Sequence, residues 1–249
     1  MAEEPTPRAT PFRPRRPVRP NREDIPKPDL PADVDVDLPR RVRTELRQSV
    51  KKAETADELM IALSIGAEAI DADEPEAALP YLLWAKSVAQ RSVSIREALG
   101  VAYYLSGDFK LALSELRTYR RLSASPDQNH LIADCLRALG QPVSDVAEAA
   151  GELLQASSVE ASRRVEVLLV WAGALADDGD VDAAKAVLRR ADRQMLEDAG
   201  PEARERFQYM AGDLAARAGE FDAARAAWEP LAELEDDPYG LEERLADLG

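Results

Sequence analysis

The two residues best suited to nucleophilic catalysis are Cys135 and His130, each the only one of its type in the chain. A Cys–His pair requires the imidazole within hydrogen-bond reach of the thiol, so that it can take the thiol proton. Five residues of helix separate two side chains by about 500° of rotation, which places them on different sides of that helix. We therefore expect a buried cysteine and a surface histidine rather than a catalytic pair.

Metal and cofactor sites are also poorly supported. Asp33, Asp35 and Asp37 alternate like the first ligands of a calcium loop, but Leu38 stands where that loop needs Gly and Thr44 where it needs Glu. The single cysteine and single histidine supply two of the about four ligands of a zinc site. The chain has no Gly-rich phosphate loop and no Gly-x-Ser-x-Gly nucleophile motif. We expect a protein without metal, cofactor, small-molecule substrate or enzymatic activity.

Charge is distributed unevenly along the 249 residues. The net charge is -15, yet residues 1–52 hold 13 Lys and Arg against 9 Asp and Glu, which leaves 19 basic against 38 acidic residues beyond them. A basic segment joined to an acidic body indicates two different interaction surfaces. The simpler alternative, a solvated tail on a body kept soluble by its charge, stays open.

Other features indicate a cytoplasmic protein. One cysteine excludes an intramolecular disulfide and is typical of a reducing compartment. The first 40 residues lack the apolar stretch of a signal peptide. The longest largely apolar run, Val167 to Ala176, is shorter than the about 20 residues of a membrane span, so we expect no membrane partner.

The N-terminal residues divide into two parts. Residues 1–38 are rich in proline and arginine, and we expect them to be disordered because proline removes backbone donors and favours extended conformers. Residues 39–54 predict a basic helix with an apolar stripe at Val42, Leu46 and Val50. Exposed arginines could bind nucleic-acid phosphates, and the candidates in these two parts are Arg13, Arg15, Arg16, Arg19, Arg40, Arg41, Arg43 and Arg47. A segment that folds back over the acidic body, or one that is merely solvated, explains the same charges.

A period of about 34 residues organises the rest of the chain. The reference copy contains Gly100, Tyr103, Gly107, Phe109, Ala112 and Leu116. Corresponding sets are Gly66, Ala69, Asp73, Pro75, Ala78 and Leu82; Ala172, Leu175, Gly179, Val181, Ala184 and Leu188; and Gly212, Ala215, Gly219, Phe221, Ala224 and Trp228. A weaker copy has Ala133, Leu136, Gly140, Pro142 and Ala147. Each copy predicts two helices, A and B, joined by a left-handed turn residue and packed closely through small side chains.

This pattern resembles the tetratricopeptide repeat (TPR) family over about residues 55–238. The resemblance implies an all-α solenoid of about five helix-turn-helix pairs, with Phe109, Val181 and Phe221 filling the space between pairs. Residues 239–249 are expected to form a capping helix. The whole chain is also similar to uncharacterised TPR proteins of high-GC bacteria, through the run from Leu38 to Leu46.

The sequence departs from the family at three places. Arg96 and Gln208 stand where an aromatic residue is expected early in helix A. The last copy begins 40 residues after the one before it, and the extra length, Met195 to Pro201, predicts an extended helix and a break. The Lys/Asn clamp for a C-terminal carboxylate is missing at the corresponding positions.

The resemblance implies that a partner protein binds the concave face, which the A helices form. The positions carried over are Glu97, Val101, Tyr104, Arg206, Tyr209 and Asp213, together with Met60, Leu63 and Ala67 from the first copy. Tyrosines suit such a role because they add contact area at modest entropic cost. The alternative is that Tyr104 and Tyr209 only pack between repeats. A non-enzymatic interaction scaffold is the leading interpretation, and a nucleic-acid- or ribosome-associated factor is the second.

Overall fold

The computed structural model describes residues 25–31, 33–234, 237 and 239–248, and the regular structure within them is entirely helical. The expectation of an all-α protein is confirmed. The helices are α1 (Arg40–Ser49), α2 (Ala53–Asp71), α3 (Pro75–Val88), α4 (Val93–Leu105), α5 (Phe109–Ser123), α6 (Asn129–Ala138), α7 (Val143–Gln155), α8 (Ala161–Asp177), α9 (Val181–Leu188), α10 (Arg193–Ala199), α11 (Pro201–Arg217), α12 (Phe221–Ala232) and α13 (Leu241–Asp247).

Ten of these helices form five consecutive pairs. The most extensive contacts in the molecule join α2 with α3, α4 with α5, α6 with α7, α8 with α9 and α11 with α12. We call the first helix of each pair its A helix (α2, α4, α6, α8, α11) and the second its B helix (α3, α5, α7, α9, α12). Each A helix also contacts the A helix of the next pair, and each B helix contacts that same following A helix.

The turn inside each pair has one residue in the left-handed region. These residues are Asp73, Gly107, Gly140, Gly179 and Gly219, with φ between 59° and 89°. In the second pair the N–H of Asp108 returns to the carbonyl of Tyr103 at 2.8 Å, and that of Gly107 to Tyr104 at 3.0 Å. The same two bonds recur in the other four turns, so every A helix ends in a Schellman motif.

Close approach within a pair depends on glycine in three A helices. A Cβ at Gly66 would lie 2.7 Å from Leu82, one at Gly100 would lie 2.5 Å from Leu116, and one at Gly212 would lie 2.2 Å from Trp228. The alanines expected on the facing side of the B helices, Ala78, Ala112, Ala184 and Ala224, are fully buried. The small residues therefore bring the two backbones together, as their spacing predicts.

Polar residues stand where an aromatic residue was expected early in the A helix. Each of them bonds to the B helix of its own pair. A guanidinium nitrogen of Arg96 on α4 bonds the buried carboxylate of Glu115 on α5. Gln208 on α11 donates to the carbonyl of Ala227 on α12 at 2.8 Å. Asn129 holds the corresponding position of α6 and donates to the carbonyl of Ala149 on α7 at 2.9 Å. Side-chain hydrogen bonds thus join A to B in these three pairs.

The N-terminal residues lie against the helices from Ile25 onward. Leu38 is buried, Ile25, Leu30 and Val36 pack on the main core, and Lys27 pairs with Glu58 at 2.8 Å. These residues form no helix, as the prolines predict, but residues 25–31 and 33–38 pack on the core through apolar side chains and are not the disordered chain that was expected. Residues 1–24, which hold the rest of the predicted disordered segment, lie outside the described residues.

The C-terminal pairs differ from expectation in two details. The residues between the last two copies form a separate helix, α10, rather than an extension of α9, because α9 ends at Leu188 and the side chain of Asp192 caps α10 by accepting from Met195 N–H at 2.8 Å. Phe221 is 51% exposed, whereas Phe109 and Val181 are partly buried. No pair follows α12 in the described residues, and Phe221 therefore does not fill a space between pairs.

Candidate binding face

The A helices offer one continuous surface. Since α2, α4, α6, α8 and α11 contact one another in chain order and the B helices cover one side of them, their other sides adjoin. We call this surface the A face, and it carries the positions carried over from the repeat family. Val101 is a partly exposed apolar residue among them.

A strip of hydrogen bonds and ion pairs links the A helices across this face. We call it the ion-pair strip, and its members are Tyr104, Asp134, Arg137, Asp177, Arg217, Asp213, Arg244 and Tyr209. At its first end the hydroxyl of Tyr104 on α4 donates to Asp134 Oδ2 on α6 at 2.7 Å. Arg137 on α6 lies 3.9 Å from Asp134 and donates through Nε to Asp177 Oδ2 on α8 at 2.9 Å.

The second half of the strip joins α8 to α11 and α13. Arg217 Nη1 lies 3.7 Å from Asp177 Oδ1, and Arg217 Nε donates to Asp213 Oδ2 at 2.7 Å. Arg244 on α13 donates to Asp213 Oδ1 at 2.6 Å and to the hydroxyl of Tyr209 at 2.7 Å. Three aspartates and three arginines therefore alternate between two tyrosines, and the strip carries no net charge on an acidic body.

Gly173 makes room for Arg137, the first arginine of the strip. A Cβ at this position of α8 would lie 2.9 Å from both Cζ and Nη1 of Arg137. The guanidinium therefore rests on the α8 backbone, which orients it toward Asp177. A larger residue at 173 would displace Arg137 and interrupt the strip.

Both tyrosines proposed as anchors make intramolecular contacts. Tyr104 packs edge-to-face against Phe109 with ring centroids 5.8 Å apart, and burial, together with the Asp134 hydrogen bond, raises the pKa of its hydroxyl. Tyr209 stacks between Trp228 and Tyr239, with centroids at 6.4 and 5.2 Å. Both tyrosines therefore pack against other side chains of the protein, and neither side chain is free of intramolecular contacts.

The other carried-over positions are linked to neighbouring A helices. Glu97 accepts from Gln128 Nε2 at 2.7 Å. Arg206 lies 2.8 Å from Glu166 across α8 and α11, and burial raises the pKa of Glu166 although the nearby guanidinium opposes that shift. Asp213 lies inside the ion-pair strip. The predicted residues on α4 and those on α11 therefore lie on one surface. The residues that connect these two groups were not predicted.

The unpredicted members of the strip have a sequence signal. Asp134 and Arg137 lie 33 residues after Val101 and Tyr104, so they occupy the same two positions of the next A helix. Aligning the weak third copy at a step of 33 residues, from Gly100 to Ala133, would place them on the A face. Arg244 carries no such signal, because α13 lies outside the repeat.

Two positions expected on the face are covered. Met60 and Leu63 of α2 are each 5% exposed and belong to the same core cluster as Leu46 of α1, whereas Ala67 is partly exposed. The expectation that Met60 and Leu63 face an open groove is therefore wrong. An additional helix occupies this end of the A face.

The basic side of α1 is open to solvent. Arg40, Arg41, Arg43 and Arg47 are exposed, and no hydrogen bond or ion pair engages their guanidiniums within the described residues. Arg40, Arg43 and Arg47 share one side of the helix, at rises of about 4.5 and 6 Å. The remaining candidates, Arg13, Arg15, Arg16 and Arg19, lie outside the described residues.

The candidate nucleophile is buried. Cys135 is fully buried, and burial raises the pKa of its thiol to about 12, chiefly through desolvation and further through Asp134. His130 is partly buried rather than on the surface, and burial followed by the Arg163 charge lowers its pKa to about 4. Its Nδ1 lies 3.1 Å from the carbonyl of Asp127. The thiol therefore stays protonated and the imidazole stays neutral near pH 7.

Acidic residues do not gather into a metal site in the part of the chain that the structure describes. Asp33, Asp35 and Asp37 are exposed in the N-terminal segment that precedes α1. Among the helices of the described ranges, none combines the length and hydrophobicity that crossing a bilayer requires.

Comparison of the chain with protein-family models, with curated proteins and with solved structures gives no match.

Proposed function

We propose that the chain is a TPR-like α-solenoid that acts as a cytoplasmic, non-enzymatic interaction scaffold and holds a segment of a partner protein on its A face. The observation that carries the proposal is the side-by-side contact of the five A helices, which makes one extended surface from separate pairs. The near-34-residue period, the shared Schellman turns and the Gly–Leu and Gly–Trp contacts support the repeat architecture. In repeat proteins such extended surfaces are used for binding.

The first end of the ion-pair strip suits this role because its ion pairs are partly exposed and therefore weak. The side chains of Arg137, Asp134 and Asp177 are 34%, 27% and 48% exposed, and ion pairs at such positions contribute about 0–1 kcal/mol each. A partner segment with charges of either sign can replace an internal pair at low cost. Val101 next to the strip offers an apolar contact in the same region.

The proposal is tested by placing a bulky charge on the A face. We expect Val101→Arg to abolish capture of the partner by the full-length chain, while Ser114→Arg, on the exposed side of the B helix of the same pair, leaves capture unchanged. Quantitative mass spectrometry of proteins retained by each variant measures this, and circular dichroism checks that both remain folded. Equal capture by Val101→Arg and wild type would place the interaction elsewhere.

A second candidate function, polyanion binding, rests on the open arginines of α1. The helix is fixed to the body because Leu46 is fully buried and Glu45 bonds the start of α4, so Arg40, Arg43 and Arg47 need no further ordering before they meet a phosphate backbone. In this case the partner would be RNA or the ribosome.

This alternative predicts salt-dependent binding to single-stranded RNA. Three phosphate contacts give a slope of about -2 in log K against log salt for a single strand. The triple variant Arg40→Gln/Arg43→Gln/Arg47→Gln should lose that binding, and Lys110→Gln/Arg117→Gln/Arg121→Gln, which removes three exposed cations of α5, should retain it. Fluorescence anisotropy at several salt concentrations decides, and equal losses in both variants would indicate non-specific attraction.

A further inference from the structure

Helix α1 lies on the A face of the first two pairs. It contacts α2 and α4, which are both A helices, and neither α3 nor α5. The opposite side of α2 and α4 is already filled by α3, which contacts both of them. Met60 and Leu63, which the repeat pattern places on the A face of α2, are buried in the same cluster as Leu46, so α1 lies toward the A face.

The contact combines apolar burial with a specific polar bond. Leu46 is fully buried, and Val42 and Val50 pack on the same core cluster that contains Met60 and Leu63. Val42 and Leu46 lie one turn apart on the same side of the helix. The predicted helix of residues 39–54 ends earlier, at Ser49, and Val50 follows it with extended backbone. Helix α1 is thus an amphipathic helix that lies in a groove between α2 and α4, which is a common mode of helical peptide recognition.

Glu45 provides the polar bond. Its carboxylate accepts hydrogen bonds from the N–H groups of Val93 at 3.0 Å and Ser94 at 3.4 Å, at the start of α4. These two groups have no partner within their own helix, and a carboxylate there also interacts favourably with the helix dipole. Glu45 therefore sets the position of α1 along the groove.

Helix α1 has little stability of its own. It has ten residues, its N-cap Pro39 makes no side-chain capping bond, and its first turn contains arginines and no acid. Isolated helices of this length are marginal, and cations in the first turn oppose the helix dipole. Its helical form therefore depends on its contacts with the groove.

We propose that the A face of α2 and α4 is a helix-binding groove that α1 occupies in cis, and that the partner segment is an amphipathic helix with the same pattern. This deepens the proposed scaffold function, on which it rests, by naming the partner's chemistry. The partner helix carries apolar residues at positions corresponding to Val42, Leu46 and Val50 and a carboxylate corresponding to Glu45. It binds by exchanging with α1, and the tethered helix limits affinity until it is displaced.

The experiment uses full-length protein and a fluorescent peptide of residues 38–52. Leu46→Asp in the protein should release α1, so this variant binds the peptide at least tenfold more tightly than wild type does. A peptide with Glu45→Gln should bind about tenfold more weakly, whereas a peptide with Gln48→Ala, on the exposed side of α1, should bind as the original does. Because Glu45→Gln makes the peptide more basic, simple attraction to the acidic body would strengthen its binding instead.

Two results overturn the proposal. One is failure of the peptide to bind a folded Leu46→Asp protein, and the other is equal or tighter binding of the Glu45→Gln peptide. If circular dichroism shows that Leu46→Asp does not fold, hydrogen exchange of the wild-type chain decides. Amides of α1 must then exchange at least tenfold faster than those of α4, and equal protection would make α1 a fixed part of the core. Neither readout depends on a cellular partner, so the scaffold function succeeds or fails separately.

Discussion

The indole of Trp228 lies directly on the backbone of Gly212, with its Nε1 donating to the carbonyl of Tyr209 at 3.0 Å. Trp228 is 1% exposed, and a methyl group at 212 would overlap the ring. We expect Gly212→Ala to lower the free energy of unfolding by about 1–3 kcal/mol through overpacking. Urea denaturation measures this change.

Gly151 provides the matched control for that substitution. It lies inside helix α7, and a Cβ there would meet nothing within 4 Å. Gly151→Ala should therefore raise the free energy of unfolding by about 0.5–1 kcal/mol, since alanine favours the helix. A similar loss from both substitutions would mean that helix propensity, and not close packing, governs Gly212.

Ala124 ends α5 in the left-handed region, with φ of 54°. A residue with a Cβ is strained there by about 1–2 kcal/mol, and part of the gain from glycine is lost to the greater freedom of the unfolded chain. We expect Ala124→Gly to stabilise the protein by about 0.5 kcal/mol, and Gly107→Ala, at φ of 75°, to destabilise it by about 1 kcal/mol. Thermal unfolding of the two variants should move in opposite directions, and a shared direction would contradict the turn geometry.

Glu115 is a buried carboxylate between two cations. It is 6% exposed, pairs with Lys86 at 2.5 Å and also binds Arg96, so it joins α3, α4 and α5. Glu115→Gln leaves both cations without their counterion and should cost about 3 kcal/mol. Glu197→Gln, which breaks an exposed pair with Arg193, should cost less than about 0.5 kcal/mol in the same denaturation assay. Comparable losses of unfolding free energy in the two variants would show that the buried pairs of Glu115 stabilise the protein no more than an exposed pair does.

His130 makes stability fall with acid. Burial lowers its pKa to about 4 from 6.5, so the folded chain binds this proton less readily than the unfolded chain does. The contribution is complete above pH 6.5 and is lost as pH falls toward 4, with about 2 kcal/mol lost between pH 7 and pH 5. His130→Gln removes the only histidine and should flatten this part of the curve of unfolding free energy against pH. An unchanged slope would mean that carboxylates alone set it.

Local sequence signals predict much of the helical framework. The left-handed residue at Gly107 and its counterparts follows from a glycine or aspartate placed after an A helix, and the contact of Gly100 with Leu116 follows from a small and a large residue at a fixed offset. These relations span at most one helix pair. They depend on backbone conformation and side-chain volume, which the residue types express directly.

Contacts between distant segments could not be predicted in the same way. The bond from Glu45 to Val93 joins residues 48 apart, and nothing in either residue's neighbourhood indicates its partner. The sequence therefore does not indicate where α1 packs, or that Met60 and Leu63 are covered. Both are known only from the structure. Alignment of the repeats could have predicted two members of the ion-pair strip, Asp134 and Arg137. It could not have predicted Arg244, which lies outside the repeats.

The most direct test of the account is photo-crosslinking from the A face. A benzoylphenylalanine placed at Val101 or at Ser114 of the full-length chain, in cells that contain the partner, reports which side of the second pair touches another protein. The account predicts an adduct larger than the chain from position 101 and none from position 114. Adducts from position 114 at equal or greater yield, or none from position 101, would contradict the assignment of the A face as the binding surface.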